Sequence, residues 1–205
     1  METLIFSLTG YLIGSIPFSY IIGKLKGVDI RKVGTFNVGG SNVSRTLGFK
    51  YGFLAFILDF LKGVISALIP KFLGFAPFYS FLSGFAASFG HAYPIFLKFQ
   101  GGRGIATSLG FLLILFPKET LIFLLIFSPL FFIKEVALYI IIFIFSISLY
   151  IFLKFREFSF LPLIFFIFIV YRRVQFVYGD LKSGRGFLKS FINRFLFDAP
   201  EKRKF

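Results

Sequence analysis

The sequence predicts an all-α polytopic membrane protein with about seven transmembrane helices. Of its 205 residues, 57% are hydrophobic and only 16% are charged, which is more apolar surface than a soluble domain of this length can bury. Runs without charge recur along the chain, and a spanning helix needs about 20 mostly apolar residues. We therefore expect a single integral-membrane domain over residues 1–205, without a separate soluble domain.

The first predicted span covers residues 3–23 and is interrupted by Gly10, Gly14 and Pro17. Its length, its polar C-terminal flank and the lack of a small-residue cleavage site distinguish it from a cleaved signal peptide. A polar loop at residues 24–50 follows it. The six further predicted spans are residues 51–70, 78–97, 105–116, 120–133, 136–153 and 159–170.

The basic residues predict the orientation of these spans, because Lys and Arg concentrate in cytoplasmic loops. If all seven segments cross and the first loop is cytoplasmic, that side carries 18 Lys and Arg residues and the other side carries four. Lys62, inside the second span, completes the total of 23. This asymmetry places the N-terminus outside and the C-terminus in the cytoplasm, and it makes nucleic-acid binding an unnecessary explanation of the positive charge.

Residues 182–197 repeat apolar pairs at helical spacing with basic residues between them. That pattern is typical of an amphipathic helix in the membrane interface, with its basic face toward anionic lipid. A helix packed beneath the bundle would have the same pattern, so both interpretations stay open.

The stretch from Gly90 to Gly110 predicts an anion site. Gly101, Gly102 and Gly104 surround Arg103 just before an apolar segment. Glycines permit positive φ and close backbone approach to a ligand, and the free N–H groups at the start of a helix attract anions. We expect this loop to hold a phosphate at the membrane surface.

The first loop has a second unusual mixture of residues. Arg45 offers a forked charge suited to phosphate, and several neutral polar side chains and glycines precede it. Two glycine-rich basic loops on one membrane face predict a polar cavity for a small phosphorylated substrate. The polar and glycine residues of this first loop are Gly34, Asn37, Gly39, Gly40, Ser41 and Asn42.

Ionisable side chains also occur within the predicted spans. Asp59 and Lys62 are three residues apart, so they share a helix face and are expected to pair; intramembrane charges mark functional sites or lock helices together. His91, the only histidine, has two interpretations, a structural hydrogen bond or a general base. The chain has no cysteine and no cluster with metal-ligand spacing, so we expect neither metal nor cofactor.

Several motifs together resemble the bacterial acyl-phosphate:glycerol-3-phosphate acyltransferase family (PlsY), in order and spacing, from about residue 10 to residue 110. They are GSIPF at 14–18, GTFNVGGSNVSRTLG at 34–48, LDFLKG at 58–63 and GHAYP at 90–94 with the glycine-rich stretch after it. The resemblance implies a seven-helix, multi-pass enzyme of the bacterial inner membrane. Such an enzyme transfers an acyl group from acyl phosphate to the 1-hydroxyl of glycerol 3-phosphate, giving lysophosphatidic acid and phosphate for phospholipid synthesis. The implied partners are these two substrates and membrane lipid, and the oligomeric state stays open.

The resemblance also implies roles for individual residues. The catalytic positions are Thr35, where the family usually has Ser, together with Asn37, Arg45 and Arg103. Asp59 and His91 support the site. The implied substrate- and phosphate-binding positions are Gly39, Gly40, Ser41, Asn42, Lys62, Gln100, Gly101, Gly102, Gly104, Thr107 and Arg173.

The chain departs from the family pattern in two regions. In the first loop Phe36 replaces a usual Gly, and Gly40-Ser41 replace an Ala-Thr pair. After the last predicted span the family has His and Asn, whereas this chain has Arg173 and either Phe176 or Tyr178 at those positions. A catalytically impaired paralogue is therefore one alternative, and a small transporter of a phosphorylated metabolite is another, because transporters also carry buried charges and broken helices.

The residue types favour direct transfer without an acyl-enzyme intermediate. No cysteine and no Ser-His-acid set is evident in the sequence, so an activated nucleophile is not expected. Acyl phosphate already has a good leaving group, and such an enzyme mainly positions its substrates and stabilises charge.

Overall fold

The computed structural model describes residues 1–127, 136–158 and 160–182, and these residues form nine α-helices without a β-strand. The chain divides into two compact units, residues 1–118 and 119–205. The predicted interfacial helix at 182–197 lies outside the described residues except for its first residue. The helices are α1 Glu2–Ser15, α2 Phe18–Leu25, α3 Gly40–Leu47, α4 Phe49–Phe72, α5 Pro77–Ala92, α6 Ile105–Leu115, α7 Pro117–Phe127, α8 Val136–Lys154 and α9 Leu161–Lys182.

Among the described residues, three segments are long and apolar enough to cross a membrane: Glu2–Leu25, Phe49–Phe72 and Leu161–Tyr178. Ile105–Leu115 and Ile140–Lys154 are shorter apolar helices. The predicted all-helical membrane protein is thus confirmed for the described residues, and the number of crossings stays a prediction.

The first predicted span is broken at one point only. Ile16 adopts an extended conformation before Pro17, because a proline restricts the residue before it and removes an N–H donor. The prediction that Gly10 and Gly14 also interrupt the helix was wrong. These glycines lie inside α1, and a Cβ on either would clash with the backbone of Ser83 or Ala87 in α5. They therefore permit close helix packing.

The first loop is less irregular than predicted, because it contains α3. Gly39 precedes this helix in an extended conformation, and Gly48 follows it with φ 96°. The positive φ at Gly48 allows the chain to turn directly into α4. Arg45 and Ser41 therefore lie on a helix and not in an irregular loop.

Helix α4 is the centre of the first unit, where it contacts α1, α2, α3, α5 and α6. Its 24 residues span about 36 Å at 1.5 Å per residue. Small side chains on its buried face, including Ala55, Gly63 and Ala67, allow its neighbours to approach.

The later helices differ from the prediction in length. Helix α5 ends at Ala92, and a short 3₁₀ segment, Ile95–Leu97, takes up the rest of the predicted third span. In the second unit α8 packs against α9. The prediction that the last span ends at Val170 was wrong, because α9 continues to Lys182. Arg172 and Arg173, expected in a cytoplasmic segment, are buried within this helix.

Candidate phosphate-binding site

A buried ion pair occupies the centre of the first unit. Asp59 Oδ1 lies 3.0 Å from Lys62 Nζ, and both side chains are at most 2% exposed. The spacing of three residues brings them onto one face of α4, as expected from the sequence. Ser19, which the sequence analysis did not single out, donates to Asp59 Oδ2 at 2.9 Å. In the sequence, a hydroxyl residue two positions after the proline that breaks the span could have indicated Ser19.

The ammonium of Lys62 also reaches the break in the first span. Its Nζ donates to the carbonyl oxygens of Gly14 and Ile16, at 2.9 Å each, and lies 3.1 Å from His91 Nδ1. An ammonium has three protons, and the two carbonyls and the Asp59 carboxylate already supply three acceptors for them. The contacts favour a role inside the protein for Lys62 over the phosphate-binding role that the resemblance implies.

The glycine-rich loop is attached to the end of α5. The amide of Gly101 donates to the carbonyl of Ala92 at 3.2 Å, and that of Gly102 to His91 at 3.0 Å. Of the three glycines, only Gly104 takes a positive φ, at 81°. A Cβ on Gly101 or Gly102 would instead clash with protein atoms, so close packing within the fold requires glycine there.

The two glycine-rich loops meet. A Cβ on Gly102 would clash with the carbonyl oxygen of Val38 in the first loop and with His91 Nε2. Val38 also shares a buried apolar cluster with Leu97, the last residue before the second loop, and with Ile30 and Val43. Burial of these side chains holds the loops side by side, as the predicted shared cavity requires.

Asn42 organises the first loop from within α3. Its Oδ1 accepts from the amide of Thr35 at 2.8 Å, and its Nδ2 donates to the carbonyls of Ile30 and Val33 at 2.9 and 3.2 Å. Gly34 has φ 58°, and a Cβ there would clash with Asn42 Oδ1. These contacts engage the amide with the protein backbone, which favours a structural role for Asn42 over phosphate binding.

Asn37 differs from Asn42 in having a side-chain oxygen that the fold leaves available. Its side chain is 4% exposed, and among the described residues its Oδ1 has no hydrogen-bond partner. A buried amide oxygen of this kind is costly unless something binds it. Asn37 therefore fits the predicted contact with substrate.

The first turn of α3 lies just beyond Asn37. Helix geometry leaves the amides of Gly40 and Ser41 without an acceptor one turn earlier, and Arg45 is exposed on the same helix.

Phe36 has φ 60°, so the position where the family has Gly is indeed left-handed. A bulky residue in this conformation is strained by about 1–2 kcal/mol.

The second loop leads directly into α6. Arg103 is buried, and Gly104 precedes the helix. Thr107 is also buried, and its hydroxyl donates to the carbonyl of Asp59 at 2.9 Å, which favours a structural role for it. Gln100 is exposed. Arg103 thus lies just before the first turn of α6, and its part in an anion site stays a prediction.

Arg173 belongs to α9 in the second unit. It is buried there, and its implied part in substrate binding stays a prediction. Within the described residues, no group of three or more His, Cys, Asp or Glu side chains could hold a metal ion.

An apolar cavity of about 400 Å³ lies between α1 and α5. Leu4, Leu8, Tyr11, Leu82, Ala86 and Phe89 line it. It ends one helical turn from Gly14 and Ser15, which line a narrow crevice at the Asp59–Lys62 pair.

The described helices and these two loops define a helical membrane protein with a basic, glycine-lined site. The family profile of glycerol-3-phosphate acyltransferases matches residues 4–177. The chain belongs to this family, as its motifs suggested.

Individual relatives agree with this assignment. The chain is 47% identical over 132 residues to a glycerol-3-phosphate acyltransferase of Aquifex aeolicus, covering 64% of this chain and 69% of the relative. It is 46% identical over 123 residues to that of Thermosipho melanesiensis, covering 60% of each.

Two solved structures of PlsY (YgiH), an integral membrane glycerol 3-phosphate acyltransferase, are similar over nearly their whole length. The glycerol 3-phosphate form is 38% identical, with a TM-score of 0.77, and the alignment covers 92% of this chain and 98% of that one. The lysophosphatidic acid form is 37% identical, with a TM-score of 0.76, and covers 94% and 100%.

Proposed function

We propose that this chain is a membrane glycerol-3-phosphate acyltransferase that uses acyl phosphate as donor. Family membership and the similarity to PlsY in its glycerol 3-phosphate and lysophosphatidic acid forms support the acceptor and the product. The observation that carries the proposal is the contact of the two glycine-rich loops at Gly102 and Val38. It brings two phosphate-binding elements to one place, which a reaction between two phosphorylated substrates needs.

The proposed reaction is a direct displacement. The 1-hydroxyl oxygen of glycerol 3-phosphate attacks the acyl carbonyl carbon, the carbon–oxygen bond to phosphate breaks, and a substrate phosphate oxygen takes the hydroxyl proton. The only histidine, His91, has Nδ1 directed at Lys62, so this nitrogen is not available as a general base. Catalysis then depends on positioning and on stabilising charge.

In this proposal Arg103 and the amides at the start of α6 hold one phosphate. Arg45 and the first turn of α3, including the amides of Gly40 and Ser41, hold the other. Thr35 and Asn37 orient the acceptor. Guanidinium groups suit phosphate because they donate two parallel hydrogen bonds.

The cavity between α1 and α5 is proposed to receive the acyl chain of the donor. It is lined mainly by apolar side chains, and it ends close to the crevice beside the buried ion pair. A chain lying in it would have its carbonyl end toward the loops. Lateral entry from the apolar helices also suits a substrate that dissolves in the bilayer.

We further propose seven spans in the bacterial inner membrane, with the N-terminus outside, a single membrane domain and an interfacial helix at 182–197. Because the chain has no cysteine, single cysteines at Thr3, Lys26 and Lys71 can report orientation. A membrane-impermeant maleimide added to spheroplasts should label the cysteines at Thr3 and Lys71. Labelling at Lys26 instead would reverse the orientation.

The activity test uses purified protein in detergent with palmitoyl phosphate and glycerol 3-phosphate. Phosphate release that depends on glycerol 3-phosphate, with formation of lysophosphatidic acid, supports the proposal. An inactive wild-type protein with intact thermal unfolding would favour the impaired paralogue. Uptake of labelled glycerol 3-phosphate into vesicles without chemical turnover would instead indicate a transporter.

A further inference from the structure

We propose that Asp59, Lys62 and His91 form a positioning unit that fixes the glycine-rich loop and thereby places Arg103 for phosphate binding. This inference rests on the proposed acyltransferase function. It assigns these three residues to holding the loop, without contact with substrate.

On one side, Lys62 completes the end of α1. The carbonyl of Gly14 would accept from the amide of Phe18 in a continuous helix, but this amide donates to Ile16 at 3.1 Å. The ammonium of Lys62 supplies the missing donor at 2.9 Å, and its positive charge suits the C-terminal end of a helix. The broken span is thereby attached to α4.

On the other side, Lys62 fixes the ring of His91. His91 Nδ1 lies 3.1 Å from Lys62 Nζ and 3.4 Å from Asp59 Oδ1, so the ion pair holds this edge of the ring. The Nε2 edge packs against Gly102, where no Cβ fits. The backbone of His91 also accepts from Gly102 at 3.0 Å. Side chain and backbone of His91 together determine where the loop begins.

Asp59 holds the far end of the same loop. Its carbonyl accepts from the Thr107 hydroxyl at 2.9 Å, in the first turn of α6. Gly63, one turn along α4, lies so close to Thr107 that a Cβ would clash with its carbonyl oxygen. The loop is therefore held at one end by Ala92 and His91 of α5 and at the other by Asp59 and Gly63 of α4. Arg103 is the only charged residue between these attachments.

The test must separate positioning from folding. Removing either Asp59 or Lys62 leaves the partner charge buried and unpaired, which destabilises the fold directly. His91→Asn is a milder change, because its amide can still hydrogen-bond to Lys62 or Asp59 while the Nε2 edge is withdrawn from Gly102. Ser66→Ala is the matched control, since Ser66 is a buried α4 residue whose hydroxyl donates only to the Lys62 carbonyl.

The experiment is a double-mutant cycle between His91→Asn and Arg103→Ala, with kcat/KM for acyl transfer as the readout. We expect His91→Asn to lower kcat/KM at least tenfold in the wild-type background and less than threefold beside Arg103→Ala. If Arg103→Ala turnover is too slow to measure, Arg103→Lys replaces it, and a smaller loss than in the wild type is expected. Ser66→Ala should stay within twofold in both backgrounds.

Equal losses in both backgrounds, or activity of His91→Asn within twofold of wild type, would overturn the positioning role. If His91→Asn does not fold, Asp59→Asn with Lys62→Met removes both charges together and enters the same cycle. An inactive wild-type protein would contradict the proposed function, whereas an active wild type with additive losses contradicts only this inference.

Discussion

The α-carbon of Gly102 lies against the carbonyl oxygen of Val38, so that no side chain fits between the two loops. Val38 is held in the apolar cluster that also includes Leu97, which leaves little freedom for either loop to withdraw. The contact joins an element at residues 34–48 to another at residues 98–104. It is the structural basis for treating them as one site.

Gly102→Ala is expected to lower kcat/KM at least tenfold. The added methyl group would meet the Val38 carbonyl and the His91 ring, and overpacking of this kind typically costs about 1–3 kcal/mol. Steady-state phosphate release measures the effect. Gly27→Asn is the control, because Gly27 is also in a loop and nothing lies near its missing Cβ; its φ of 75° suits Asn. Equal activities of the two variants would contradict the prediction.

Arg103→Ala is expected to lower acyl transfer by two or more orders of magnitude. The guanidinium is proposed to hold a phosphate whose charge changes during the reaction, and such electrostatic contacts are among the largest single contributions to catalysis. Arg103→Lys should recover part of the activity, because it keeps the charge but not the forked geometry. Lys32→Ala, an exposed cation of the first loop, is the control. Near-wild-type turnover of Arg103→Ala would disprove the role.

Asn37 and Asn42 provide a matched pair that separates activity from stability. Asn37→Ala removes an Oδ1 with no hydrogen-bond partner among the described residues, so kcat/KM should fall about tenfold or more with little change in the melting temperature. Asn42→Ala breaks three backbone contacts and should destabilise the protein by roughly 2–4 kcal/mol. Thermal unfolding in detergent and the phosphate-release assay, run on both variants, test the contrast. A loss of stability in Asn37→Ala together with a loss of activity alone in Asn42→Ala would contradict this prediction.

The motifs of the sequence indicated which loops form the candidate site, but not the contacts inside it. Apolar runs, Pro17 and the spacing of Asp59 and Lys62 predicted the spans, the break and the ion pair, because each depends on local chemistry. The contacts of Lys62 with Gly14, and of Gly102 with Val38, join residues far apart in the chain. Local patterns carry no signal for such contacts.

The glycines show the same limit. A glycine can mark positive φ, helix packing or a ligand contact, and the sequence does not distinguish these uses. In the structure Gly104 has positive φ, Gly14 lies against Ala87, and Gly102 lies against His91. The extent of α9 was also underestimated, because buried Arg172 and Arg173 resemble a polar flank when the chain is considered alone.

The ion pair of Asp29 with Arg31 predicts a small effect of pH on stability. Hydrogen bonds from the Arg31 guanidinium, at 3.0 and 2.8 Å, lower the pKa of Asp29 from 3.8 to about 2. A carboxyl group whose pKa is lower in the folded state stabilises the protein fully at pH values above its pKa in the unfolded state. This stabilisation is lost as the pH falls through the pKa of the folded state. The contribution of Asp29 to stability is therefore lost between about pH 4 and pH 2.

Asp29→Asn should lower the free energy of unfolding at pH 7 by at most about 1 kcal/mol, because the pair is partly exposed and screened by solvent. The difference in the free energy of unfolding between this variant and the wild type should be constant above about pH 5 and should shrink below about pH 4. Melting temperatures in detergent across this range measure the difference. A gap that persists unchanged to pH 2 would show that Asp29 stabilises the loop by something other than its charge.

The cavity between α1 and α5 makes a prediction about substrate length. Ala86 lines it and is partly buried, so Ala86→Phe should fill much of its volume of about 400 Å³. Each methylene removed from an apolar environment loses about 0.8 kcal/mol, so displacing even two methylenes of a long chain should raise the KM for palmitoyl phosphate about tenfold. Acyl phosphates of eight to ten carbons, which need less of the cavity, should be nearly unaffected. Ile65→Phe, at an exposed apolar position of α4, serves as the control, and an equal effect on short and long donors would show that the chain binds elsewhere.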